Sequence, residues 1–220
     1  MHHSEQNWNF FNPRGEVEVS GVHLPHWQQG SVVQFITFRL GDSLPSSKLR
    51  ELEQQNKVSV DTELLDPFEM QLNEWLDKGL GSCLLSNPEK RIELTKTLIS
   101  DEGKRARFIS WIVMPNHVHV LCEPLVALSS LLQSWKSISA HRIDHGSIWQ
   151  SGYYDRMARD MKDLIAYAKY IRNNPKGLPS GSYTLWESYG LRMEFVSIAG
   201  PAGAPTGPTQ VTGAGAPPRP

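Results

Sequence analysis

Apolar and polar positions follow their sharpest rhythm between residues 111 and 122. There an apolar run (WIVM), a Pro115-Asn116 turn and a second run (HVHVLC) succeed one another. Along a strand, side chains alternate between faces, so His117 and His119 share one face while Val118 and Val120 take the other. The pattern predicts an antiparallel hairpin, residues 105–114 against 117–122. It buries its valines and sets two imidazoles about 7 Å apart on the opposite side. Upstream, residues 31–40 (SVVQFITFRL) are rich in β-branched and aromatic side chains, which suits a first strand. A helix is expected to open at Pro88 behind a polar cap, to bury Ile92, Leu94 and Leu98, and to stop at Gly103. Residues 128–138 read as a second helix ending near Gly146, residues 147–157 as a last strand, and residues 160–174 as a long helix closed by Pro175.

The order strand, helix, strand, strand, helix, strand, helix predicts an α+β fold. Specifically, it matches a ferredoxin-like split βαβ sheet with helices on one face and an added C-terminal helix. Residues 1–30, polar and turn-rich, read as an N-terminal arm, and residues 31–198 as the folded domain. Within it, residues 45–85 form an acidic helical insertion with no visible chemistry, and Phe68 and Trp75 are most simply its core. In residues 199–220, 11 of 22 positions are Gly or Pro, so no core can form and a disordered tail is expected.

Composition refines this only in places. A chain of 220 residues with 39% hydrophobic and 20% charged side chains can bury a core. Two cysteines supply neither a disulfide framework nor a zinc site, which suits a reducing cytosol. The N-terminus lacks the basic start and apolar run of a signal peptide, and no apolar stretch approaches a membrane span. The net charge of −1 hides an asymmetry: residues 1–87 hold 6 Lys+Arg against 12 Asp+Glu, whereas residues 88–194 hold 15 against 11. Positive charge gathers in the half that carries the histidines, where a phosphate backbone would sit well.

Two histidines alone do not make a metal site, and a pair on the wet face of a hairpin is the plainer explanation. The last helix bears on the choice. Leu164, Ala168 and Ile171 form an apolar stripe, and Tyr170 and Asn174, four apart, share a face beside it, with Asp163 on the same side. Packed against the sheet, this helix offers a phenol and an amide oxygen at its seam, a set that resembles a metal centre with a nucleophile beside it. On spacing alone the plainer readings are favoured: Tyr170 as an aromatic at a core edge, as Tyr167 is taken to be, and Asn174 as a polar C-cap before Pro175. His141 and His145, four apart, have a spacing that suits zinc and a metal-dependent hydrolase, but Gly146 follows directly and histidines favour a helix end.

Several spaced blocks resemble the single-tyrosine HUH transposases, nearest the REP-associated tyrosine transposases of bacteria. They are MPNHVH at residues 114–119, IWQ at 148–150, YDR at 154–156 with Arg159-Asp160, and YIRNNP at 170–175. The resemblance runs from about Phe35 to Leu178. It implies that His117, His119 and Asn174 hold a divalent metal, Mg²⁺ or Mn²⁺, and that Tyr170 is the catalytic nucleophile. The implied activity is endonucleolytic cleavage and strand transfer on single-stranded or hairpin (REP-like) DNA through a 5′-phosphotyrosine intermediate. It would act as a monomer or homodimer in the bacterial cytoplasm, at the nucleoid, with no membrane partner. Lys136, Arg142, Arg156, Arg159 and Lys162 flank the expected site and are candidates for DNA phosphates, although a solvated charged face would look the same. Trp149 suits base stacking less well than a core role. A DNA-hairpin-binding regulator without catalysis would keep the same fold, but the intact His, His, Tyr and Asn set disfavours it.

Overall fold

The computed structural model describes residues 7–20, 26–45, 47, 67–144 and 146–191, and of residues 67–70 the backbone alone. The expected tail at 199–220, most of the first half of the helical insertion, Phe68 and His145 lie outside them. The described elements are β1 (Glu18–Ser20), β2 (His26–Gln28), β3 (Gln34–Arg39), α1 (Pro67–Asp77), α2 (Pro88–Asp101), β4 (Ala106–Val113), β5 (His117–Pro124), α3 (Leu128–Asp144), β6 (Tyr154–Met157), α4 (Met161–Asn173) and β7 (Thr184–Glu187).

Five strands form one antiparallel sheet in the order β6-β3-β5-β4-β7. The fold is α+β, and the first four sheet strands follow the chain order βαββαβ. Strand β5 is central because both its faces are apolar or covered, and every one of its eight residues is buried. Alternation sends Val118, Val120 and Cys122 to one core with α2 and α3, through Leu94, Leu98, Leu131 and Trp135. Leu121 points to a second core with Leu164, Tyr167, Ala168 and Ile171 of α4. Helices therefore cover both faces, with α4 packed on the histidine side. A register shift between Phe108 and Ser110 keeps Phe108 and Trp111 on the α3 side and turns Ile109 and Ile112 to the α4 side. A bulge of one residue does this by resetting the period of two.

The helix ends follow the residues that cap them. Asn87 accepts hydrogen bonds from the amides of Glu89 and Lys90 ahead of α2, with Pro88 in its first turn. Asp160 accepts from the amide of Asp163 ahead of α4.

Four expectations need correction. Ile92 is 46% exposed, and the buried side of α2 is built from Arg91, Leu94, Thr95 and Leu98. Arg91 can replace it because its guanidinium donates to Leu85 O, Ser86 O, Gly181 O and Thr184 Oγ1. The strand expected across 147–157 shrinks to β6, since the backbone of the loop before it pairs with the chain at β3 through an isolated Leu40–Trp149 bridge and no longer ladder. Strand β7 was not anticipated: it follows α4 and pairs with β4. The described residues of 1–30 are more than an arm, because β1 and β2 pair antiparallel and His26 of β2 reaches Asp155 of β6.

Candidate active site

His117 and His119 sit on the α4 face of β5 and are both fully buried. They are not on a wet face, because α4 closes over them. Their rings converge until the two Nε2 atoms are 3.1 Å apart. The far nitrogen of each ring has its own partner: His117 Nδ1 lies 2.8 Å from Asn116 Oδ1, and His119 Nδ1 lies 2.8 Å from Thr37 Oγ1 on the neighbouring strand. Thr37 and His119 are cross-strand partners in the register of β3 and β5.

Proton positions follow from these contacts. Asn116 Nδ2 donates to Leu76 O and Leu80 O, both at 3.1 Å, so Oδ1 must be the atom facing His117. An amide oxygen only accepts, so His117 carries its proton on Nδ1 and presents a bare lone pair at Nε2. His119 has a freer choice, because a threonine hydroxyl donates or accepts. With Thr37 donating, His119 holds its proton on Nε2 and gives it to His117 Nε2. With Thr37 accepting, both Nε2 lone pairs face one another, an arrangement that only a cation makes favourable.

Burial pulls His117 down to about 3, opposed by the Asn174 amide, and burial followed by the neighbouring His117 holds His119 well below its ordinary value. Both rings are neutral near pH 7, the form that binds metals.

Helix α4 brings Tyr170 and Asn174 to the same place. Asn174 is its C-cap residue, and Asn174 Nδ2 donates to the Tyr170 hydroxyl at 3.1 Å. The Tyr170 ring meets His119 edge-on at 5.2 Å between centroids and Phe35 edge-on at 5.8 Å. Asn174 Oδ1 is buried and accepts no hydrogen bond, although the amide lies close enough to the His117 ring to favour its protonated form. A buried amide oxygen without a donor is costly, by about 1–3 kcal/mol.

Four residues expected from the sequence therefore meet: His117, His119, Tyr170 and Asn174. A fifth was not anticipated. Asp77, at the end of α1, places Oδ1 3.7 Å from His117 Nε2. Burial raises its carboxyl to about 6, the Asn174 amide opposes this by donating to it, and Glu74 adds to the rise. The block at 45–85 thus reaches the site. Thr37 and Asn116 were also missed, since nothing in a strand or a Pro-Asn turn marks a residue as an imidazole partner.

The donor set suits a divalent cation. Two ligand atoms about 2.1 Å from a shared ion lie about 3.0 Å apart at a right angle, close to the 3.1 Å between the imidazole nitrogens. Among the described residues no three His, Cys, Asp or Glu side chains converge tightly enough to hold a metal as they stand. The Asn174 amide is the further polar group beside the two imidazoles, its Oδ1 buried and accepting no hydrogen bond.

No protein-family model matches the chain, and no curated protein matches it. Among solved structures, one of a REP-associated tyrosine transposase bound to a REP hairpin is similar, with 20% sequence identity and a TM-score of 0.39. The match covers 66% of this chain and 67% of that one. At that overlap it decides nothing about chemistry.

The five basic candidates do not gather into one patch. Lys136 and Arg142 belong to α3, on the far face of the sheet from the histidines. Lys136 Nζ donates to Gln150 O and Gly152 O, and burial, then Arg39, lower it to about 8. It holds the 146–153 loop and walls a groove of about 730 Å³ with Gln133, His141, Trp149 and Tyr153. Trp149 is 8% exposed and donates to Ser139, so it is core. Arg142 and Lys162 are exposed, and Arg156 is half-buried on β6. His141 stands in the last turn of α3, remote in the fold from the paired histidines. No helix among the described residues is long and apolar enough to cross a membrane.

Arg159 is held by Asp163, donating through Nε at 2.7 Å and through a second nitrogen at 3.2 Å. Burial pushes the Asp163 carboxyl up, but these bonds outweigh it and hold the group below its ordinary value of 3.8. A depressed folded-state value contributes stability above the unfolded one and loses it as pH falls through the folded one. Asp163→Asn is accordingly expected to cost about 1 kcal/mol at pH 7, given the half-exposed arginine. The gap from the wild type closes in urea titrations as pH falls below the ordinary carboxylate range and Asp163 is protonated in the folded state too. A gap independent of pH would remove the ion pair as its cause.

Proposed function

We propose that this chain is a divalent-metal-dependent nicking and joining enzyme for single-stranded DNA of the HUH single-tyrosine kind, acting at hairpin DNA. The observation that carries the reading is the meeting of His117 Nε2, His119 Nε2 and the undonated Asn174 Oδ1 beside the Tyr170 hydroxyl. The order βαββαβ, with the tyrosine on an added helix, supports a ferredoxin-like sheet as its frame. The sequence blocks that include these four residues support hairpin DNA as substrate.

His117, His119 and Asn174 would hold Mg²⁺ or Mn²⁺. Mg²⁺ prefers oxygen and two imidazoles suit Mn²⁺ better. Bound there, the cation would supply charge neutralisation at the scissile phosphate. The remaining chemistry belongs to the protein. Tyr170 loses its phenolic proton and its oxygen attacks phosphorus, forming a tyrosyl phosphoester. The bond from phosphorus to the 3′ oxygen breaks, and that oxygen takes a proton and leaves as a free 3′-hydroxyl. Asn174 Nδ2 donates to the phenol oxygen and so favours the phenolate over the phenol. The reverse step, with a different 3′-hydroxyl attacking, joins strands without an outside energy source.

Incubation of the protein with a labelled hairpin oligonucleotide carrying a single-stranded flank should give a covalent adduct with Mn²⁺ or Mg²⁺. The adduct should disappear with chelator. Retarded but uncleaved oligonucleotide, with and without metal, would instead indicate a DNA-binding protein without catalysis.

A further inference from the structure

The helical block before residue 85 enters the site through one side chain, and its position is set by the histidine strand. Asn116, the residue before His117, donates to Leu76 O and Leu80 O, which bracket Asp77 in the chain. Leu85 N donates to Pro115 O at 3.0 Å, a second tie between the same segments. Leu72 and Leu76 pack with Leu44 as a small core beneath α1. The end of α1 is therefore bolted to the turn that launches His117 and His119. Asp77 Oδ1 stands 3.7 Å from His117 Nε2. Ligands about 2.1 Å from one ion lie about 3.0 Å apart at a right angle and about 4.2 Å apart when opposite, so the His117–Asp77 pair spacing is that of two ligands of one ion. His117, His119 and Asp77 do not converge tightly enough as they stand, and the Asp77 side chain would turn inwards on loading. Two imidazoles and an amide are neutral and would leave a divalent charge uncompensated at a buried place, which a carboxylate relieves.

Resting on the metal reading above, we propose that Asp77 is an additional, anionic ligand of the same cation. The helical block is then part of the metal site and brings the carboxylate in from outside the sheet. Its side chain is 40% exposed, so the ion would enter from the α1 side past Asp77.

The test is Mn²⁺ binding to the full chain, followed by electron paramagnetic resonance, with water relaxivity counting the waters on the bound ion. The wild type should bind one Mn²⁺, and His119→Ala should abolish binding. Asp77→Asn, which keeps an oxygen but removes the negative charge, should weaken binding at least about 10-fold, while melting with the wild type in chelator. Glu74→Gln, which alters the local charge without a ligand atom, should change affinity less than about 3-fold. Equal affinity for Asp77→Asn and the wild type would overturn the assignment while leaving the histidine site intact. A Glu74→Gln loss as large as that of Asp77→Asn would overturn it too, in favour of a field effect. Absence of Mn²⁺ binding by the wild type would remove the metal reading itself. Should Asp77→Asn fail to fold, the wild-type water count decides: four protein ligands leave two waters on a six-coordinate ion, and three leave three.

Discussion

Tyr170→Phe yields no covalent protein–DNA adduct with a labelled hairpin oligonucleotide, at any metal concentration that supports the wild-type reaction. The loss is total because the substitution removes the attacking atom, whereas changes around a nucleophile reduce a rate. Little else changes. The hydroxyl accepts a hydrogen bond from Asn174 Nδ2, and the ring stays between His119 and Phe35. Losing that bond costs about 1 kcal/mol of stability. Mn²⁺ affinity and hairpin binding should remain within about 3-fold of the wild type, because the imidazoles and the Asn174 oxygen are untouched. Tyr167 offers no substitute nucleophile: it is 2% exposed and stacks on Phe35 with centroids 4.7 Å apart. A persisting adduct in gel and mass analysis would transfer the role to another residue and defeat the proposed mechanism.

The parts of this site that could be read beforehand are those set by local periods. A period of two placed His117 and His119 on one face opposite Val118 and Val120, and a spacing of four placed Tyr170 with Asn174. Both are properties of a single element. What could not be read is what two elements do together. Nothing in the strand shows that α4 buries the imidazoles, that Thr37 lies across from His119, or that an acidic residue some forty positions before them returns to the rings. The same limit explains Ile92, whose apolar character promised burial while Arg91 found four oxygen acceptors and took its place. It explains Lys136 as well: a lysine flanking the expected site is equally suited to phosphate or to the carbonyls of its own loop, and tertiary structure decides for the loop. The bulge after Phe108 swaps faces in mid-strand without a glycine or proline to announce it.

Asn116→Ala should lower stability by about 3 kcal/mol in chelator and weaken Mn²⁺ binding by about 10- to 100-fold. Asn116 is 1% exposed and makes three hydrogen bonds, one accepted from His117 Nδ1 and two donated to Leu76 O and Leu80 O. Alanine leaves the buried His117 ring N–H without its acceptor and takes one donor from each of two carbonyls, of which Leu76 O keeps the Gly79 amide, and each lost bond costs about 1 kcal/mol. The functional loss has a separate origin. Without Oδ1 as acceptor the His117 proton is no longer held on Nδ1, so Nε2 is occupied by a proton part of the time and the ring turns more freely. Outer partners of this kind typically govern affinity by one to two decades. Asn116→Asp separates the two effects, because its carboxylate still accepts from His117 Nδ1 but turns an anionic oxygen towards the two carbonyls. It should therefore destabilise at least as much as alanine while keeping more of the metal affinity. If both variants bind Mn²⁺ as the wild type does, Asn116 is a fastening between α1 and β5 and has no part in aiming the imidazole.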